Sequence, residues 1–274
     1  MTINRQNEVY LLQFSRLSKE AHVTHYITTR KGGISQPPYA SLNLGFHSKD
    51  NPNDVLQNRI ILSRYLGIPL GNFAFSKQVH SGNVHVVSEI DRGKGSDCYD
   101  SGIPQSDAMI TNIPGISLTV LVADCTPVLF YDKKNRVIGI AHSGRMGVVN
   151  RIVIHVIEKM AKEYGSKPES IMVGLGPTIC ANHYPISQDK ASILRSVLSS
   201  DTLSINEVNE KVFFDLSTAI REQLLWTGII EQNIEKINMC TYEEDELFFS
   251  ERRDAAPTGR FGAIIRLNSE QKSA

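Results

Sequence analysis

Between residues 116 and 160 the chain shows three short runs of apolar residues and then changes period. The runs 116–122, 128–131 and 137–141 are β-branched and apolar and of strand length, the pattern of strands buried inside a sheet. Val148, Val149, Ile152, Val153, Val156, Ile157 and Met160 then recur at helical spacing, and the stretch closes at Gly165. Buried strands next to an amphipathic helix require a sheet covered by helices, so the segment alone sets the class as α/β or α+β. The rest of the chain agrees. Helices are expected over 53–66, opened by Asn51-Pro52-Asn53 and stopped by Gly67, over 188–198, and over 216–226 with Asp215 as N-cap. Strands are expected over 73–75, 84–87, 171–175, 234–238 and 263–267. No repeat or linker-like run divides the sequence, and the Gly/Ser-rich stretch 92–102 is a loop within a domain. Residues 1–274 therefore make one domain.

Composition narrows the function. Lys+Arg and Asp+Glu are 29 each, so bulk charge does not drive binding to nucleic acid or to an anionic membrane. Hydrophobic residues at 41% and charged residues at 21% exclude a disordered chain. Cys98, Cys125, Cys180 and Cys240 are dispersed and form no Cys-x-x-Cys pair, which points to a reduced compartment rather than a disulfide scaffold. The N-terminus lacks the apolar segment of a signal peptide. The apolar stretch 116–131 is broken by Asp124 and Pro127 and is too short to span a bilayer. A cytoplasmic soluble protein is the expectation.

Three residues sit where a strand hands over to a turn. They are His80 in Gln78-Val79-His80-Ser81-Gly82, Cys125 in Ala123-Asp124-Cys125-Thr126-Pro127, and His142 in Ala141-His142-Ser143-Gly144. Two imidazoles and one thiolate suit a borderline-soft metal such as zinc. Three protein ligands leave a position open, as catalytic rather than structural zinc does. The same set is able to hold copper. Two plainer readings compete. A Cys in an apolar strand is commonly a small buried hydrophobe, and Cys125 with His142 also makes a nucleophile and its base. If the metal reading is right, all three side chains converge on one point.

Arg252-Arg253-Asp254 followed by Thr258-Gly259-Arg260 offers an anion clamp or a solvated, salt-bridged turn, and Arg30-Lys31-Gly32-Gly33 offers the same two readings without matching a Walker loop. The anion-clamp reading expects Arg30 and the Arg252–Arg253 loop to border the cleft that holds Cys125. His22, His25, His47, His85, His155 and His183 have no assignable partners, and His155 in mid-helix is structural.

These motifs together resemble one family. Thr28-Thr29-Arg30-Lys31-Gly32-Gly33, Ser41-Leu42-Asn43-Leu44-Gly45, Gln78-Val79-His80, Ser106-Asp107-Ala108-Met109, Ala123-Asp124-Cys125-Thr126-Pro127, Ala141-His142-Ser143-Gly144, Gly174-Leu175-Gly176-Pro177, Phe249-Ser250-Glu251-Arg252-Arg253-Asp254 and Thr258-Gly259-Arg260 follow one another as in the YfiH/YlmD family. That family is also described as laccase-domain, polyphenol-oxidase-like or peptidoglycan-editing. The resemblance runs along nearly the whole chain. It implies a four-layer α/β/β/α sandwich with mixed sheets, related to a bacterial toxin's cysteine deamidase domain. It implies a zinc site at His80, Cys125 and His142. The activities it implies are phosphorolysis of adenosine, inosine and methylthioadenosine, together with adenosine deamination. Alternatives within the family are copper-dependent phenol oxidation and hydrolysis of peptidoglycan precursors through a cysteine. A non-enzymatic binding module is a further reading.

On the nucleoside reading Asp107 and Asp124 are the candidate catalytic carboxylates beside Cys125 and His142. Gln78, Arg30, Arg145 and Arg253 are candidates for holding substrate and phosphate. The oligomer expected is a monomer or homodimer. A multicopper cluster needs many close histidines, whereas this chain has 8 and no His-x-His pair. Two departures stand out. The family's usual Ala-His-Ala-Gly-Trp-Arg/Lys-Gly becomes Ala141-His142-Ser143-Gly144-Arg145-Met146-Gly147, with the basic residue one place early and Met146 in its position. The Cys after the Gly-Pro turn is also displaced, so Cys180 is not carried over as a site residue.

Overall fold

The structure is a computed structural model that describes residues 2–6, 9–255 and 257–269. Two six-stranded mixed sheets dominate it. The first runs in the spatial order Thr2–Gln6, Val9–Gln13, Val23–Thr28, Phe261–Leu267, Ser117–Val122, Phe73–Phe75, antiparallel except for its last pair. The second runs Ile234–Lys236, Ile171–Leu175, Thr126–Asp132, Val137–Ser143, Ala108–Thr111, Val84–Val86, with an antiparallel centre and a parallel pair at each edge. A small third sheet joins Pro185–Ile186, Lys211–Phe214 and Ile205–Val208.

Side-chain alternation along the strands builds the layers. Leu118, Val120 and Val122 point inward with Ala263 and Ile265, and meet Met109, Leu129, Tyr131, Ile138 and Ile140 of the second sheet. Leu121 and Ile264, one residue out of phase, face outward with Leu62 of the helix Pro52–Leu66. The outer face of the second sheet, Ala108, Ile110, Val128, Phe130 and Ala141, packs on Val153, Val156 and Met160 of Ile152–Tyr164 and on Ile220 and Leu224 of Leu216–Trp226. The order is helix, sheet, sheet, helix, the four-layer sandwich that the resemblance implied.

The helix boundaries follow local chemistry. Asn51 caps Pro52–Leu66 by accepting from the Asn53 amide, and Gly67 at φ 64° ends it. Asp215 accepts from the Thr218 amide and caps Leu216–Trp226. The apolar repeat 148–160 is not one helix. A short helix, Arg145–Val149, precedes Ile152–Tyr164, and Arg151 sits left-handed at φ 53° between them. The repeat crosses the break because Val148 and Ile152 enter the same core. The Asn150 side chain at the break donates to the His80 carbonyl and ties it to the loop before the site. The run 137–141 continues as strand through His142 to Ser143. Among the described residues no helix is long and apolar enough to cross a membrane.

Candidate metal centre and its cavity

Cys125 lies in the three-residue crossover 123–125 that leads from Ser117–Val122 of the first sheet to Thr126–Asp132 of the second. His142 stands on Val137–Ser143 directly opposite Pro127, so strand pairing brings it beside the crossover. His80 comes from the loop after Phe73–Phe75, with a left-handed backbone at φ 59°. The ligand-type atoms of His80, Cys125 and His142 all lie within 4.8 Å of one another, and the two imidazole rings are 4.8 Å apart at centroid. Gly144 leaves room for this approach. A Cβ there would lie 2.5 Å from Cys125 Sγ and 3.7 Å from His80 Nδ1.

Asp107 organises the group. Its carboxylate takes His142 Nδ1 at 2.9 Å, the amides of Val79, His80 and Ser81, and the Ser81 hydroxyl. It therefore holds the His80 loop and engages His142 Nδ1, which leaves Nε2 as the ring nitrogen available to a ligand. Burial opposes the Asp107 charge, but the hydrogen bonds from His142 and Ser81 outweigh it and hold the group at about 2. Burial likewise opposes a charge on His142, yet Cys125 and Asp107 on either side raise it to about 9. Desolvation first, and then the neighbouring His142, lower the pKa of His80.

The three side chains open onto a cavity of about 630 Å³, also lined by His47, Tyr184, Glu251, Arg252 and Arg260. That volume is of the size that takes a drug-sized ligand. Arg252 lies over the Tyr184 ring at 5.1 Å. Arg260 donates to Glu251 and to the carbonyls of Thr258 and Gly259. Desolvation, then Arg260 and nearby imidazoles, lower the pKa of His47 and keep it neutral at pH 7. His47 was not singled out in the sequence, because nothing in its local spacing distinguishes it.

The other expected site residues divide. Asp124 lines the cavity, but its carboxylate is engaged by the Thr241 hydroxyl at 2.6 Å and the Arg252 amide at 2.7 Å. Gln78 also lines it, with its amide doubly bonded to the Leu121 backbone. Arg145 opens the helix after Gly144. It makes no hydrogen bond or ion pair with a described residue, and its charge reaches both His80 and Tyr184.

Arg30 and Arg253 correct the expectation of a shared cleft, since neither lines this cavity. Arg30 lies over Phe249, bonds the carbonyls of Ala40 and Asp245, and borders a different surface pocket with Lys31 and Glu246. Arg253 spends its donors on the carbonyls of Thr241, Tyr242 and Phe248 and on Asp254. Both guanidinium groups tie loops together. Arg252, the other arginine of the expected loop, does line the cavity, together with Arg260.

Known proteins agree with this architecture. The family described as multi-copper polyphenol oxidoreductase laccase matches residues 24–268. Purine nucleoside phosphorylase YlmD of Bacillus subtilis (strain 168) is 33% identical over 239 residues, covering 87% of this chain and 86% of that protein. A purine nucleoside phosphorylase of Deinococcus radiodurans is 37% identical over 245 residues, 89% of each chain. The crystal structure of YlmD from Geobacillus stearothermophilus superposes with a TM-score of 0.92 at 31% identity, covering 97% of this chain and 98% of that one. The YfiH structure from Bacillus licheniformis gives 0.91 at 31% identity, covering 97% and 99%. The chain belongs to this laccase-like YlmD/YfiH family.

Proposed function

We propose that the chain is a zinc-dependent purine nucleoside enzyme that phosphorolyses adenosine, inosine and methylthioadenosine and also deaminates adenosine. The observation that carries this reading is the open His80–Cys125–His142 set at the wall of a cavity of about 630 Å³ that also presents Arg252 and Arg260. The donor set fits zinc. It combines two imidazoles with one thiol, has an orienting carboxylate behind His142, and meets a glycine where a Cβ would collide with the sulfur. When bound there, zinc supplies a Lewis acid that acidifies water and polarises electron-rich atoms.

Phosphorolysis forms a bond from a phosphate oxygen to ribose C1′ and breaks the bond from C1′ to the purine, which leaves with the electron pair and gains a proton. Arg252 and Arg260 at the cavity wall supply positive charge for phosphate, and Arg145, which does not line the cavity but makes no hydrogen bond or ion pair with a described residue, adds its charge from beside His80 and Tyr184. The Arg252–Tyr184 pair supplies a flat face for the base. His47 supplies a neutral imidazole at the wall for proton transfer. Asp107 acts as a positioning residue because five donors occupy its carboxylate, whereas Asp124 at the cavity wall accepts one hydrogen bond on each oxygen and keeps lone pairs for a proton-transfer role. The substrates are small molecules, and four free cysteines suit a cytoplasmic setting.

One observation favours a second reading. His142 lies between Cys125 and Asp107, the order of a nucleophile, its base and the group that orients the base. Measuring inosine phosphorolysis after exhaustive chelation, with zinc and copper quantified on the same sample, separates the readings. Turnover that falls with zinc and returns on adding it supports the zinc enzyme. Full turnover at zero metal overturns the zinc requirement and leaves Cys125 and His142 as nucleophile and base, and turnover that follows copper replaces zinc by copper as the working ion.

A further inference from the structure

A second group of ligand-type side chains lies on the far side of the cavity wall. The sulfur, nitrogen and oxygen atoms of Cys180, His183, Cys240 and Glu243 all fall within 4.8 Å of one another. Cys180 Sγ is 3.2 Å from His183 Nδ1 and 3.7 Å from Glu243 Oε1. His183 Nδ1 is 3.9 Å from Cys240 Sγ and 3.4 Å from Glu243 Oε1. We propose that these four residues form a second metal site, a closed structural one that takes zinc.

The distances carry the argument. Ligand atoms at zinc-bond length in a tetrahedron are about 3.3–3.8 Å from one another, and the four contacts here span 3.2–3.9 Å. The residues arrive as two pairs of the same spacing, Cys180-x-x-His183 and Cys240-x-x-Glu243, the two-residue gap of zinc-ribbon ligand pairs. Two sulfurs and an imidazole select a soft or borderline ion over calcium or magnesium. A complete set of four protein ligands leaves no position for substrate.

The backbone is arranged to support such a site. The two loops pair through a bridge between Thr178 and Cys240, and the Thr241 amide donates to the Thr178 carbonyl. The Cys180 amide points at Cys240 Sγ from 3.2 Å, a donor that stabilises a thiolate. Tyr242 stacks on the His183 ring, with centroids 4.2 Å apart and planes 11° apart, and fixes its orientation.

The site also explains what the two loops do. Ile179 and Tyr184 flank the first pair and line the cavity, and the chain after the second pair leads to Glu251 and Arg252 on the same cavity. Thr241, next to Cys240, holds Asp124, next to Cys125. An ion on the four ligands fastens the two cavity-wall segments to each other.

Metal content of the purified full-length chain tests the proposal, measured by mass spectrometry after removal of loosely bound ions. Two zinc per chain are expected in the wild type. One should remain in His80→Ala, and a different one in Cys180→Ser and in His183→Ala. Cobalt titration of a His80→Ala/His142→Ala variant should show uptake of one equivalent with sulfur-to-cobalt charge-transfer absorption, and adding Cys180→Ser should abolish that band. Using His183→Ala beside Cys180→Ser, each checked by near-UV circular dichroism, guards against misfolding of one variant. A single zinc that disappears in His80→Ala and persists in Cys180→Ser and His183→Ala would overturn the second site. So would a Cys180–Cys240 disulfide recovered by alkylation and peptide mapping from protein kept in reductant. A single zinc lost only in the Cys180 and His183 variants would support the second site and instead remove the proposed catalytic one.

Discussion

The two clusters use similar donors to different ends. His80, Cys125 and His142 are three, come from three separate segments, and face a cavity. Cys180, His183, Cys240 and Glu243 are four, come as two short pairs from two loops that hydrogen-bond to each other, and line no part of that cavity. The first is organised from behind by a carboxylate that also holds the His80 loop, with His142 on a central strand and Cys125 in the short crossover beside it. The second is organised by backbone amides and a stacked tyrosine. An incomplete set on a stiff frame is suited to act on a ligand, whereas a complete set on two loops is suited to hold the loops.

The comparison breaks first at the sulfurs. Cys125→Ser should reduce nucleoside turnover to background and remove one zinc while leaving the thermal midpoint little changed, because the sheets beneath it keep their cores. Cys180→Ser should do the reverse. It should lower the midpoint by several degrees, at about 2–4 °C for each kcal/mol lost in a chain of this size, and retain measurable turnover. Parallel thermal melts and phosphorolysis assays check both. Equal losses of turnover and stability in the two variants would erase the division of roles.

The next effect tests the supports rather than the ligands. Asp107→Asn keeps the size of the side chain but gives up the charge that His142 and three amides hold. Loss of such a partner typically costs about 10–100-fold in metal affinity or activity, and a competition titration with a chromophoric chelator measures it. Glu243→Gln at the second cluster should weaken metal binding less, about tenfold, because three donors remain. Its melting midpoint should fall only in zinc-loaded protein and match the wild type after chelation.

The sequence made the first cluster legible and hid the second, for physical reasons. His80, Cys125 and His142 each follow or close a recognisable apolar run, and the loop after Phe73–Phe75, the crossover between the sheets and the end of Val137–Ser143 meet at one place. Cys180 and Cys240 are 60 residues apart, and their partners are a histidine and a glutamate, so a search for Cys-x-x-Cys passes over them. Asp107 and Asp124 were visible as carboxylates, but only the fold reveals that Asp107 is saturated with donors while Asp124 accepts from Thr241 and Arg252 alone. The layer order was carried by apolar runs such as 116–122. Val23–Thr28 was missed because His25 and Thr28 look polar in the sequence and are fully buried in the fold. The His25 ring accepts from the Phe14 amide, a contact between segments that no local pattern encodes. The helix break at Arg151 was invisible because the apolar spacing runs through it.

The arginines give the smallest and most selective contrast at the site. Arg145 makes no hydrogen bond to a described residue and projects its charge toward His80 and Tyr184, whereas Arg253 has its donors committed to three carbonyls and Asp254. Replacing Arg145 by Met removes a charge that makes no hydrogen bond or ion pair with a described residue. The expected result is a rise in KM for phosphate of about tenfold, the equivalent of one charge-assisted hydrogen bond at about 1.4 kcal/mol. The thermal midpoint and the zinc content should not move. Replacing Arg253 by Met leaves the Thr241, Tyr242 and Phe248 carbonyls without that donor. Its cost should appear in the melting midpoint, with KM for phosphate close to wild type. Thr241 and Tyr242 follow Cys240 directly, so Arg253→Met should also weaken metal retention by the second cluster and leave the first cluster loaded. A phosphate-KM defect in Arg253→Met, or none in Arg145→Met, would reverse the assignment of which arginine meets the anion and which holds the loop.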